Sequence, residues 1–311
     1  MKCAALYNHT NLRSNNKIYP CCRYKTPIQE FDGNVDKILH SEEYNQLRET
    51  FSIDNPNCAK CKHEESLGKE SLRQWFNDHY STEKIELKYF EVGFDNICNL
   101  TCDGCWEEWS HSWFIKKNPI ANLKDGINQA SELSNIPSSI EKIVFLGGEP
   151  LMTNRHYRFL QTFDTLEMLE VEYFTNGTHP LPADHIELLK KCKHVKFTIS
   201  IDGYKTLNET TRSGSKWTDI LNFLYLLPDK FEKVIHTTIH INNWHGLTDL
   251  SEWCIKNQYN WTTNVLTYPK NLDIINLSNE MKSKLLDILE LYNIPNKEYI
   301  KAHLLRIKYE N

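Results

Sequence analysis

The sequence predicts an α/β protein built around an open, partial (β/α)6 TIM-like barrel, and three observations predict it. From about residue 86 to 270, short β-rich runs alternate with polar segments of helical period, the pattern of repeated βα units around a parallel sheet. About six units are present, fewer than the eight that close a barrel. The residue groups with chemical potential recur at the carboxyl ends of these runs, where barrel folds place their chemistry.

In order, strands are expected at 88–95, 142–147, 170–175, 195–201, 233–241 and 261–267. Helical segments are expected at 120–134, 154–166, 182–191, 216–227 and 246–257. Residues 1–85 read differently. Ile18-Tyr19-Pro20 and Phe31-Asp32-Gly33-Asn34-Val35 suggest a small hairpin-like element, and Ser41 is placed to cap a short helix over 42–51. Asn55-Pro56-Asn57 breaks the chain just ahead of Cys58. The spacing of Leu285, Leu286, Ile288, Leu289 and Leu291 predicts a helical cap over 271–311. The expected organisation is therefore a small module at 1–85, the barrel at 86–270 and a C-terminal helical extension at 271–311.

The chain has 311 residues, 36 Lys and Arg against 41 Asp and Glu, and a formal charge of −5. A mildly acidic surface exerts no general pull on nucleic acid or anionic lipid. No apolar run is long enough to span a bilayer, and Met1-Lys2-Cys3 does not begin a signal peptide, so the expectation is a cytoplasmic protein. In a reducing compartment, grouped cysteines bind metal or do redox chemistry more often than they form disulfides. The ten cysteines fall into Cys3, Cys21 and Cys22; Cys58 and Cys61; and Cys98, Cys102 and Cys105, with Cys192 and Cys254 alone.

Cys98-Asn99-Leu100-Thr101-Cys102-Asp103-Gly104-Cys105 follows the first barrel strand. Three thiols in eight residues supply one ligand fewer than the four that close a [4Fe–4S] cube, leaving one iron open to a small molecule. The alternative is zinc, with Asp103 or His111 completing a tetrahedron. Later strands end in Gly147-Gly148-Glu149-Pro150, Thr175-Asn176-Gly177-Thr178 and Ser200-Ile201-Asp202-Gly203, and Arg212 follows. Alternation in the fourth strand sets Thr198, Ser200 and Asp202 on one polar face. In the fifth it sets His236, Thr238 and His240 together, with Asn242 or Asn243 at the end.

The C-x3-C-x2-C group, with these motifs in this order, resembles the radical S-adenosylmethionine (radical SAM) superfamily. The resemblance implies that Cys98, Cys102 and Cys105 hold a cluster whose open iron binds SAM. It implies that Gly147, Gly148, Glu149, Asn176, Ser200, Asp202 and Arg212 contact SAM, with Glu149's segment at the amino group and Arg212 near the carboxylate. It also implies reductive cleavage of SAM to a 5′-deoxyadenosyl radical that takes hydrogen from a substrate, fed by a flavodoxin- or ferredoxin-type reductant. The family's aromatic residue before the last cysteine is replaced here by Gly104, which leaves Trp106 for the adenine.

Cys3, Cys21, Cys58 and Cys61 offer four further thiols, and the stretch Glu64 to Arg73 follows them. This pattern resembles the twitch module, a truncated SPASM domain, in a subgroup that carries it at the amino end. It implies a second, auxiliary [4Fe–4S] cluster, with Cys22 as an alternative ligand to Cys21. A structural zinc ribbon would use the same cysteines. The module favours a peptide or protein substrate for an oxidoreductase of the peptide-modifying type. A small molecule or nucleoside, or a non-catalytic zinc-stabilised binding protein, are the other readings.

His240 is the candidate catalytic side chain. Glu91, Asp95 and Glu172 are candidates for a cationic substrate group. Trp106, Trp109 and Trp113 read as packing, and Cys192 and Cys254 stand away from the expected chemistry.

Overall fold

The computed structural model describes residues 2–305, which divide into two compact units. The class is α/β with largely parallel strands, as the alternation predicts. The helix called for over 120–134 is absent, and the last six residues of the expected C-terminal cap lie outside the described residues.

The first unit comprises residues up to 98, 107–173 and 182–195. Its strands are β1 (His9–Leu12), β2 (Lys17–Tyr19), β3 (Gln29–Glu30), β4 (Tyr89–Gly93), β6 (Lys142–Leu146) and most of β7 (Glu170–Thr175). The order β3-β2-β1-β4-β6-β7 is antiparallel among the first three and parallel from β1 onward. The hairpin-like element is thus β2 paired with β3, and β1 joins it to the parallel strands. No alternation marks the polar His9-Thr10-Asn11-Leu12, yet all four residues are buried. Phe90, Phe145 and Phe159 pack edge to face on one side of the strands, Phe90 and Phe145 with no exposure. Burying a side chain of this size contributes about 1.5–3 kcal/mol.

Ser41 caps Glu42–Glu49 by accepting from the Tyr44 N–H. Only His111–Lys117 is helical near the expected 120–134. The reason is local. The Asn96 side chain donates to the carbonyls of Glu107 and Gly126 and accepts from the Asn128 N–H, and the Ala130 N–H donates to Phe94 O. Those tertiary bonds take the backbone groups that a helix would have paired with each other. The helix after β6 is likewise short, Arg155–Leu160.

The second unit comprises residues 99–106, 174–181 and 196 onward. It contains most of β8 (His194–Ser200) and the parallel strands β10 (Glu232–Ile239) and β11 (Asn260–Val265), in the order β8-β10-β11. A separate antiparallel pair joins β5 (Thr101–Cys102) to β9 (Arg212–Ser213). Phe197, Ile199 and Ile201 are fully buried, with the Phe197 ring against Phe223 of the helix Trp217–Leu226. The helices Asn279–Leu291 and Lys297–Leu305 follow β11, and Thr263 and Asn296 tie the segment between them to that strand.

Candidate functional site

Cys98 ends the first unit's share of the cysteine loop. Its carbonyl accepts from the Ser112 hydroxyl. The loop just before it is buttressed by Gly147-Gly148-Glu149: Gly148 N–H donates to Asp95 O at 3.0 Å and Glu149 N–H to Ile97 O at 2.7 Å. A Cβ on Gly148 would lie 2.2 Å from Ile97 O, and one on Gly147, whose φ is +125°, 2.6 Å from Asp95 O. The two glycines are therefore demanded by backbone packing against the residues preceding Cys98. Glu149 is buried, with Oε1 accepting from Leu151 N–H. Asp95 accepts from Thr153 and from the Ile97 N–H, and burial raises its carboxyl.

The second unit holds Cys102, Cys105 and the later motifs. Arg212 pairs with Cys102 across the β5–β9 ladder, and its Nη1 donates to Asp202 Oδ2 at 2.8 Å. The other Asp202 oxygen accepts from the Thr238 N–H at 2.9 Å, so this buried carboxylate ties Arg212 to β10. Burial raises the Cys102 thiol, and the Arg212 charge opposes that rise. Asn176 accepts from Thr178 and donates to Asn99 Oδ1 at 2.9 Å, which fastens the loop after β7 to the cysteine loop. Ser200 lies opposite His236 in the β8–β10 ladder.

Gly104 has φ +72°, and a Cβ there would meet Leu266 Cδ2 at 2.8 Å, so the position holds no side chain. Trp106 packs edge-on against Tyr268 with centroids 5.3 Å apart. Asn242 donates to Asp103 Oδ2 at 2.7 Å, whereas Asn243 is spent on the carbonyls of Asp202 and Thr238. His240 is 1% exposed and burial keeps it neutral; Nδ1 accepts from the Asn242 N–H, and Nε2 has no hydrogen-bond partner among the described residues.

The amino-terminal thiols form a neighbourhood of their own. Cys3, Cys21 and Cys58 pack around Leu6, Tyr24 and Leu47, with Cys61 within electrostatic reach of each. Burial pushes Cys3 to about 12, Cys58 to about 11 and Cys21 higher still. Cys22 is engaged elsewhere: its thiol donates to Glu91, and desolvation raises the thiol strongly. Among the described residues, no three Cys, His, Asp or Glu side chains stand close enough together to hold a metal ion. The thiols are neighbours rather than a collapsed cage.

The acidic candidates are already engaged. Burial alone would raise the Glu91 carboxyl, but His9, Cys22 and Asn11 bring it below the usual range, with Asn11 Nδ2 at 2.8 Å. Glu172 meets Lys142 Nζ at 3.0 Å. Of the three tryptophans, only Trp113 lies in a helix. Sequence reasoning missed Asn99 and Asn96, which carry the loop; an amide flanking a ligand motif was the available signal.

A model of the radical SAM superfamily matches residues 94–254, just over half of the chain. No curated protein sequence matches. Among solved structures, Streptococcus suis SuiB bound to precursor peptide SuiA is similar at 14% identity, covering 76% of this chain and 61% of that one, with a TM-score of 0.43. TYW1 with a lysine-pyruvate adduct bound is similar at 16% identity, covering 64% and 70%, with a TM-score of 0.39. Streptococcus suis SuiB itself is similar at 13% identity, covering 92% and 69%, with a TM-score of 0.42. The chain spans about three-fifths of the peptide-bound SuiB chain's length. Among the described residues, no helix is long and apolar enough to cross a membrane.

Proposed function

The chain belongs to the radical SAM superfamily, and from that premise we propose that it is a peptide-modifying enzyme with two iron–sulfur clusters. The family implies one [4Fe–4S] cluster and SAM. Cys98, Cys102 and Cys105 are the ligands of that cluster in this reading, and Cys3, Cys21, Cys58 and Cys61 those of an auxiliary one. When bound, cluster and SAM supply reductive cleavage of the sulfonium and a carbon radical that removes hydrogen from the substrate.

The observation that carries the reading is the Cys102–Arg212–Asp202 arrangement. It fixes a guanidinium, buttressed by a buried carboxylate, beside a candidate ligand thiol. A fixed fork of donors suits a carboxylate such as that of SAM. Gly147, Gly148 and Glu149 hold the Cys98 loop in shape, and Asn176 holds its continuation through Asn99. Ser200 and Trp106 complete the SAM contacts, with Trp106 against the adenine. His240, neutral and with Nε2 unpartnered, is the candidate for proton transfer at substrate.

The peptide assignment is supported by the twitch-like cysteine pattern of residues 1–85, ahead of the barrel at 86–270 and the helical extension at 271–311. The separation of Cys21 from Cys22 supports Cys21 as the fourth auxiliary ligand. The electron donor is of the flavodoxin or ferredoxin type.

Anaerobically reconstituted protein should carry about eight irons per chain, the content of two cubes. With dithionite and SAM it should release 5′-deoxyadenosine, and the Cys98→Ala, Cys102→Ala, Cys105→Ala triple variant should release none. Zinc in place of iron, or unchanged turnover in the triple variant, would overturn the assignment. Transfer of deuterium into 5′-deoxyadenosine from a labelled small molecule or nucleoside, but from no labelled peptide, would move the substrate class.

A further inference from the structure

The helix Ala59–Ser66 carries Cys61 and, near its end, two adjacent carboxylates that each hold a cation. Glu64 has no exposure; it accepts from Arg23 Nη1 and, through Oε1, from Lys69 Nζ at 3.1 Å. The same Arg23 Nη1 lies 4.0 Å from Cys61 Sγ. Glu65 is gripped by Arg73 in a fork, Nε at 2.9 Å and Nη2 at 2.8 Å, and Ser71 Oγ adds a third bond at 2.6 Å. Arg73 in turn reaches the carbonyl of Lys2, the residue before Cys3, at 3.4 Å. Beside Cys61, Arg23 and Lys69 both meet Glu64, so that carboxylate is outnumbered by the cations it holds.

Stability alone is a poor reason for this arrangement. A buried ion pair is seldom worth more than apolar side chains of the same volume, because desolvation cancels most of the attraction. What the pairs do secure is position. Each guanidinium is fixed by a carboxylate, Arg23 against the Cys61 sulfur and Arg73 against the backbone next to Cys3. Reduction of a thiolate-bound cluster adds a negative charge to an anion, and the potential depends on nearby charge and on hydrogen bonds to the sulfurs. Fixed cations favour the reduced form.

We infer that Arg23 and Arg73, held by Glu64 and Glu65, are positioning cations that set the reduction potential of a cluster on Cys3, Cys21, Cys58 and Cys61. The inference rests on the reading of those four thiols as auxiliary ligands. Their role explains the segment Glu64 to Arg73 as one device: two carboxylates, then the residues that return a lysine, a serine and an arginine to them.

The test uses the full chain with Cys98→Ala, Cys102→Ala and Cys105→Ala, which leaves only the auxiliary site. About four irons should remain, as for one cube. Spectroscopically monitored redox titration should then show a more negative potential in Arg23→Gln and in Arg73→Gln than in the parent. Arg23→Lys and Arg73→Lys, which keep the charge, should shift it less. Loss of iron from the Gln variants with retention in the Lys variants also supports the charge requirement. An unmoved potential with iron retained, or equal iron loss in Gln and Lys variants, overturns the inference. Absence of iron from the triple-Ala parent would instead overturn the auxiliary cluster itself.

Discussion

Single atoms decide how the cysteine loop is held. The methyl group of Gly148→Ala would arrive 2.2 Å from Ile97 O and 2.5 Å from Asn96 C, both backbone. Neither can swing aside as a side chain would. The expected cost is about 1–3 kcal/mol in urea unfolding, the range for overpacking, with a matching fall in reconstituted iron. Normal iron content with wild-type stability would show that the loop yields without penalty. Asp202→Asn asks a different question. The amide can still accept from Thr238 N–H, so the variant removes the charge that meets Arg212. Stranding one partner of a mostly buried pair costs about 3 kcal/mol. In a double-mutant cycle, Asp202→Asn and Arg212→Gln should be strongly non-additive; simple additivity would mean that the pair is not coupled. Cys21 and Cys22 show how far one residue matters: neighbours in sequence, one thiol joins Cys3, Cys58 and Cys61 while the other bonds Glu91.

Elements of this chain are set as much by tertiary bonds as by their own periodicity. The helix Leu72–His79 is the locally determined case, opened by a reciprocal capping box between Ser71 and Gln74. The segment at 120–134 is the opposite case, its backbone captured by Asn96 and Phe94. Between the helices Arg155–Leu160 and Ala183–Leu189, the rings of His156 and His185 lie 5.3 Å apart. Burial, then the neighbouring His185, pulls His156 down to about 3. The folded state therefore keeps it neutral while the unfolded state takes up a proton below about pH 6.5. Its contribution is complete above that pH and is lost as pH falls from there toward 3. Unfolding free energy should drop by about 1.4 kcal/mol between pH 7.5 and 5.5 on this account, one proton over one effective unit. His156→Asn should flatten that dependence in denaturant titrations, and an unchanged slope would assign it to other groups.

At the scale of the whole molecule, composition and cysteine grouping pointed to a metal-dependent α/β enzyme before any contact was known. The alternation of apolar runs with amphipathic stretches determined the fold class, because strands and helices have different periods and alternating them in sequence favours helices packed on a parallel sheet. The ends of all six expected strands fell within two residues of the observed ones, since each is bounded by a turn or a motif with its own chemistry. The family too was legible, because three cysteines and three glycine- or asparagine-bearing strand ends are local features. Tertiary structure alone decided the rest. β1 carries no periodic signal and exists because β2 and β4 pair with it on either side. Gly147 and Gly148 declare space in sequence, but only packing shows that the space is filled by the backbone of residues 95–97. Arg23 and Arg73 are ordinary surface cations by type; ion pairs with Glu64 and Glu65 give them fixed positions. Local pattern reports what a segment can do alone, whereas burial and charge are properties of neighbours that the chain brings together only by folding.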